Sequence, residues 1–174
     1  KPRAVSLAGP STPTVHLFTD ASFEPGVSPL AGFVLAAADI SPPLAASHLV
    51  DDAALASWQE SEHLIAQCEG WTVLWAVWNL REELAGRDVV FWIDNIVVVC
   101  GCISGSCANL DVAAICSALH ILLNAICVRP FFEWVPSDSN PSDGLSRVGV
   151  ECELCQELGW RLQETTSPPW GAGL

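Results

Sequence analysis

The sequence predicts a mixed α/β domain in which a five-stranded mixed sheet is flanked by helices. Three observations predict it. Gly/Pro-containing turns divide the N-terminal part into short extended runs. A long helical segment then leads into the apolar run Asp88-Val89-Val90-Phe91-Trp92-Ile93. Two further helical segments and a proline-bounded extended run follow. A hairpin meander succeeded by alternating helices and strands implies a mixed sheet with helices packed on it.

The elements follow in order. Residues 1–13 are rich in Pro, Ser and Gly and read as a linker or tail. Residues 15–19 alternate weakly and read as a strand running into Asp20, with Ala21 to Gly26 as a turn. Gly32 to Ala37 reads as a second strand, and Ser47 to Val50 as a third beyond Pro42-Pro43. Residues 62–84 form the longest helical segment, with Gly86 as a stop signal. Asp88 to Ile93 is of buried-strand type. Asn95 to Ile103 is a short apolar helix closed by Gly105, and Asn109 caps a helix reaching Cys127. Phe131 to Val135 is a strand between Pro130 and Pro136. Residues 138–162 read as two helical pieces broken near Gly144–Gly149, and 164–174 as a flexible tail. One domain over residues 14–163 is expected.

Twenty acidic residues stand against seven basic ones, a formal net charge of −13. A free-standing binder of nucleic acid usually presents a basic face. Here Lys1, Arg3, Arg81, Arg87, Arg129, Arg147 and Arg161 form no run, which argues against strong autonomous binding of a phosphate backbone. Clustered carboxylates suit divalent cations instead. No membrane span is readable, because the apolar stretches are short and interrupted. Lys1-Pro2-Arg3, with no starting Met, reads as an internal piece of a longer polyprotein. Most of the eight cysteines lie in apolar runs, where free Cys acts as a small core residue; a reduced, intracellular setting is expected. Cys152 and Cys155 form a lone CxxC, and zinc would need two more ligands from elsewhere, such as His120 or Cys127.

Four acids have special positions. Asp20 and Asp94 end strands, and Asp143 follows the last strand. Strand ends of an α/β sheet gather at one edge, where ligands bind. Glu69 shares a helix face with Thr72, Val73, Ala76 and Leu80, small or apolar neighbours that leave a carboxylate desolvated unless it is paired or metal-bound. Two divalent ions about 4 Å apart can activate a water and stabilise a leaving oxygen in phosphodiester hydrolysis. Three of the acids also have an ordinary reading: Asp20 as a turn cap, Asp94-Asn95 as a helix N-cap, Asp143 as an exposed loop acid.

Phe18-Thr19-Asp20-Ala21-Ser22 resembles the first motif of the ribonuclease H family. Glu69 through Trp92-Ile93-Asp94-Asn95 is similar to the family's glutamate helix and the strand end that follows it. The segment from Phe132-Glu133-Trp134-Val135-Pro136 through Asn140-Pro141-Ser142-Asp143-Gly144-Leu145-Ser146-Arg147 resembles the ending found in ribonuclease H domains of retrotransposon reverse-transcriptase polyproteins, of the DIRS-like or gypsy-like sort. This last motif is the most specific, and the match spans residues 15–147.

The resemblance implies the ribonuclease H-like version of the predicted sheet and Mg²⁺-dependent cleavage of the RNA strand of RNA–DNA hybrids, with Mn²⁺ as a substitute. It implies Asp20, Glu69, Asp94 and Asp143 as catalytic metal ligands. Ser22 and Asn95 are implied at the hybrid backbone, and Asn140 as support for the site or substrate. A fused or adjacent reverse transcriptase domain is the implied partner. Two departures stand out. The loop Ser137-Asp138-Ser139 lacks the His that many members carry before the last Asp, and Gly101–Asn109 lacks the basic helix of some cellular relatives. A noncatalytic scaffold beside a polymerase and a DNA-directed nuclease of the same fold are the alternatives.

Trp71, Trp75 and Trp78 form a helical stripe nearly opposite Glu69. Two readings stand: packing against the 109–127 helix, or a docking surface for a polymerase or another chain.

Overall fold

A computed structural model describes residues 12–59, 61 and 63–169. The expected linker therefore lies almost wholly outside the described residues, as do the last five residues of the expected tail. The strands are β1 (Val15–Ala21), β2 (Leu30–Ala37), β3 (Ile40–Leu49), β4 (Asp88–Ile93), β5 (Arg129–Trp134) and β6 (Arg161–Leu162). The helices are α1 (Asp52–Ser57), α2 (Ile65–Asn79), α3 (Arg81–Leu84), α4 (Ile96–Ser104), α5 (Leu110–Ala125), α6 (Asp143–Val148) and α7 (Glu153–Leu158). The sheet order is β5-β4-β1-β2-β3-β6. Strands β1, β2 and β3 form an antiparallel meander, while β4 runs parallel to β1 and β5 parallel to β4.

Among the described residues the sheet has six strands rather than five. The sixth, β6, is a two-residue strand paired in parallel with Leu44 and Ala45 of β3. It replaces the end of the second helical piece expected over 138–162, because Gly159 in the left-handed conformation ends α7. The break between α6 and α7 falls at Gly149, where φ is 78°, and Gly144 lies inside α6.

The alternation of β4 sorts its side chains by face. Val89, Phe91 and Ile93 are buried in the main core with α2, α4 and α5. Trp92 lies on the other side, stacked on Phe18 at 5.8 Å and donating to Nδ1 of His16. A second, smaller core on that side joins Val34, Ala45, Leu145, Cys152, Cys155 and Trp160. The CxxC cysteines are thus buried packing residues, and all eight cysteines are free thiols.

Side-chain caps fix the helix starts. Asn95 Oδ1 accepts from the N–H groups of Val97 and Val98, and Asn109 Oδ1 from those of Asp111 and Val112. Gly105 closes α4.

Other expectations change too, and the helix expected over 62–84 is divided into α2 and α3 at Leu80. Strand β3 begins at Ile40 and contains Pro42-Pro43. Its pairing with β2 is irregular between Leu35 and Ala37, and β6 reaches only Leu44 and Ala45, so the prolines occupy an edge stretch where no ladder N–H is required. Helix α1 was not foreseen. The C-terminal segment is anchored where it is described: Gln163 N–H donates to the Ala45 carbonyl, Thr166 and Asn79 exchange two hydrogen bonds, and Ser167 bonds His48.

Trp71 and Trp75 of the stripe serve neither expected role. Trp71 and Trp75 are fully buried and stack on one another and on His48 of β3, with Phe33 of β2 5.0 Å from Trp75. They face the sheet. Helix α2 instead meets α5 through Gly70, where an added Cβ would lie 3.3 Å from Ile115. A helix buried between a sheet and a second helix is apolar nearly all round, so the stripe by itself does not reveal which neighbour it faces. Trp78 is half-buried, with Arg81 5.0 Å from its ring centre. No described helix is long and apolar enough to cross a membrane.

Candidate metal centre

The parallel pairing of β1 with β4 sets the core of the site. Thr19 pairs with Ile93, so Asp20 and Asp94 come next in line at neighbouring strand ends. Glu69 reaches them from α2, which crosses β1. One carboxylate oxygen from each of Asp20, Glu69 and Asp94 lies within 4.8 Å of the others. Asp20 and Glu69 are each 4% exposed, and Asp94 is half-buried.

Three carboxylates this close repel one another and lose hydration. Burial, followed by the charges of Asp94 and Asp143, pushes the Asp20 carboxyl up to about 7, although a hydrogen bond from Ser146 pulls the other way. Burial pushes Glu69 well above the ordinary carboxyl range, helped by the charges of Asp94 and Asp20. Glu69 Oε2 and Asp94 Oδ1 are buried and have no hydrogen-bond partner. An orphaned buried carboxylate oxygen is costly. A hard divalent cation, which takes carboxylate oxygens, would satisfy both atoms. The residues present therefore fit such an ion.

Supporting groups orient the acids. Ser146 of α6 donates to Asp20 Oδ2. Ser137 Oγ donates to Asp94 Oδ2 at 2.7 Å, and Trp134 Nε1 to the Asp94 carbonyl at 3.0 Å. Asn140 is 5% exposed. Its amide donates to the Thr19 carbonyl and accepts from the N–H and hydroxyl of Ser142. It braces the segment carrying Asp143 against the strand carrying Asp20.

Asp143, at the start of α6, stands apart from the other three. Both its oxygens accept from Arg147, one turn on, at 2.8–2.9 Å. Its charge still acts on Asp20, so it borders the cluster while its carboxylate is engaged elsewhere. Ser22 bonds the backbone of Leu30 at the mouth of the β1–β2 hairpin, and Asn95 caps α4. Asp138, in the loop that lacks a His, is exposed.

Sequence reasoning missed Ser137, Ser146 and Gly32. Gly32 pairs with Asp20 across β1–β2. A Cβ there would lie 2.6 Å from the Leu145 Cβ and 3.0 Å from the Ser146 nitrogen. Only a glycine lets α6 sit this low on β2 and bring Ser146 to Asp20. The available signal was the position of Ser146 within the same terminal motif as Asp143.

No protein-family model matches the sequence, and no curated protein does. Solved structures do match in fold. Ribonuclease H1 from the halophilic archaeon Halobacterium salinarum superposes with a TM-score of 0.59 at 15% identity, covering 79% of this chain and 98% of that one. The N-terminal ribonuclease H domain of a Mycobacterium tuberculosis protein, solved as a fusion with maltose-binding protein, gives 0.61 at 14% identity, covering 85% and 97%. The architecture is that of the ribonuclease H fold, with a carboxylate cluster at the carboxyl ends of two central parallel strands.

Proposed function

We propose that this chain is a divalent-metal-dependent endonuclease that cleaves the RNA strand of RNA–DNA hybrids. The observation that carries the reading is the convergence of Asp20, Glu69 and Asp94, with two buried oxygens left unpartnered, on this fold. Asp20, Glu69 and Asp94 hold the ion, with Asp143 as the fourth ligand. Mg²⁺ is the natural ion, and Mn²⁺ substitutes for it. Bound at these acids, a pair of such ions supplies an activated water and a stabilised leaving oxygen. Ser137 and Ser146 orient Asp94 and Asp20, and Asn140 holds the Asp143 segment against β1. Ser22 and Asn95, at the two strand ends, are the proposed contacts to the hybrid backbone.

Two further parts of the reading concern context. The terminal motif Trp134 to Arg147 supports a retrotransposon origin and a reverse transcriptase domain as fused or adjacent partner. The scarcity of basic residues supports the same arrangement, because the partner would supply the grip on the polyanion. The free cysteines support an intracellular setting.

The test is cleavage of an RNA–DNA hybrid in Mg²⁺, with EDTA as control and with duplex DNA and single-stranded RNA as competitors. Hybrid-selective, EDTA-sensitive cleavage that Asp94→Asn abolishes is expected. Cleavage retained in that variant, or absent from the wild type fused to its polymerase, would overturn the reading, the latter in favour of a scaffold.

A further inference from the structure

The fork between Arg147 and Asp143 sits beside a site built to hold cations. Arg147 Nε and Nη2 make three hydrogen bonds to the two oxygens of Asp143, so both oxygens already accept from the guanidinium. Arg147 also lies within the field of Asp20 and Asp94. Arg87 and Arg129 are each paired with an aspartate outside the cluster, Asp39 and Asp88, and Arg81 lies over Trp78. Arg147 thus occupies the place where a second positive charge would neutralise the acids.

The pair is easily opened. Its side chains are 65% and 32% exposed, and an ion pair in such a setting typically changes an equilibrium constant by less than about fivefold. An open groove of about 460 Å³ borders Arg147, lined also by Ser137, Asp138, Pro141 and Glu157. The guanidinium can move into it, toward other acids, without unpacking α6, because Leu145 and Ser146 carry the buried contacts of that helix.

We propose that Arg147 is a removable counter-ion for Asp143, a latch that keeps the fourth acid out of the cluster until a second divalent ion displaces the guanidinium. The inference rests on the metal-dependent reading above and adds an order to it. Asp20, Glu69 and Asp94 take the first ion, with the buried, unpartnered oxygens of Glu69 and Asp94 turned to it. Asp143 turns to the second only when Arg147 swings away. The latch limits charge repulsion while the site is part-filled and makes the second ion the weaker one.

Titration of the full chain with MnCl₂, followed by electron paramagnetic resonance of free Mn²⁺ and by calorimetry, tests this without reference to activity. Wild type should bind one ion more tightly than the second. Arg147→Gln should strengthen second-ion binding by about three- to fivefold and leave the first within error. Arg147→Lys keeps a charge but loses the fork, so it should fall between the two. Adding Asp143→Asn to Arg147→Gln should cancel the gain. Unchanged or weaker second-ion binding in Arg147→Gln would overturn the latch while leaving the metal site intact. Equal strengthening of both ions would also overturn it, because Arg147 would then act only through its general field. A wild type that binds no Mn²⁺ would overturn the metal reading and the latch together.

Discussion

The buried acids on the sheet and the exposed acid on α6 are the two halves of one candidate site, and they are held in opposite ways. Asp20, Glu69 and Asp94 are fixed by strand register and by a helix buried on all sides. Their carboxylates have little freedom to escape one another, and burial makes Asp20 and Glu69 hold protons more tightly instead. Asp143 sits on a short helix held to the sheet by Leu145 and Ser146, and it has relaxed onto a neighbouring arginine. A rigid frame can keep charges in an unfavourable arrangement because the core opposes their separation. A surface turn cannot, so its charge finds the nearest partner.

Asp94→Asn should break the buried half. Removing a ligand from a metal-assisted site is expected to lower hybrid cleavage by about a thousandfold or more, with a circular dichroism spectrum like that of the wild type. Residual activity near wild type would remove Asp94 from the chemistry.

The pH dependence of the metal-free protein should separate the two halves next. With Asp20 at about 7 when folded against 3.8 when free, the folded chain keeps a proton between those values that the unfolded chain has released. Its unfolding free energy should therefore fall as pH rises from about 4 to 7, by on the order of 2–4 kcal/mol. Glu69, also shifted upward, adds in the same direction. Divalent ion should remove much of this loss at neutral pH. Thermal melts across pH, with and without Mg²⁺, check it. Stability that rises over this window in EDTA would contradict the burial of uncompensated acids.

Gly32→Ala should loosen the seam between the halves. Its Cβ would meet the backbone of α6, and overpacking of this kind costs about 1–3 kcal/mol. Chemical denaturation should show the loss. If stability is unchanged, α6 does not sit as low on β2 as described.

Ser137→Ala should produce the smallest effect. The hydroxyl orients Asp94 from a partly exposed loop, so its removal should weaken Mn²⁺ binding by about two- to tenfold and leave the melting temperature nearly unchanged. A large stability loss with unchanged ion binding would make Ser137 a structural residue only.

The sequence by itself determined where β4 ends, at Ile93 before Asp94, and how α4 and α5 are capped. Asp94 could be placed at a strand end because an apolar run terminated by an acid is a local pattern, and Gly105 and Asn109 could be placed because caps act within a turn; that β1 and β4 are neighbours was decided by the sheet. Glu69 stood out because its helix face is otherwise small and apolar. What lay beyond a turn or a strand was decided only by tertiary structure. The tryptophans of α2 could have faced α5 or solvent; they face the sheet because Gly70 gives the other side to α5. Pro42 and Pro43 are tolerated inside β3 because that stretch is an edge, a fact set by how far β6 extends. Gln163, Thr166 and Ser167 are anchored by Ala45, Asn79 and His48, which are distant in sequence. The fourth acid follows the same rule. The terminal motif marked Asp143 by resemblance, but its present partner was settled by the side chain within reach on an exposed turn, the arginine one turn away.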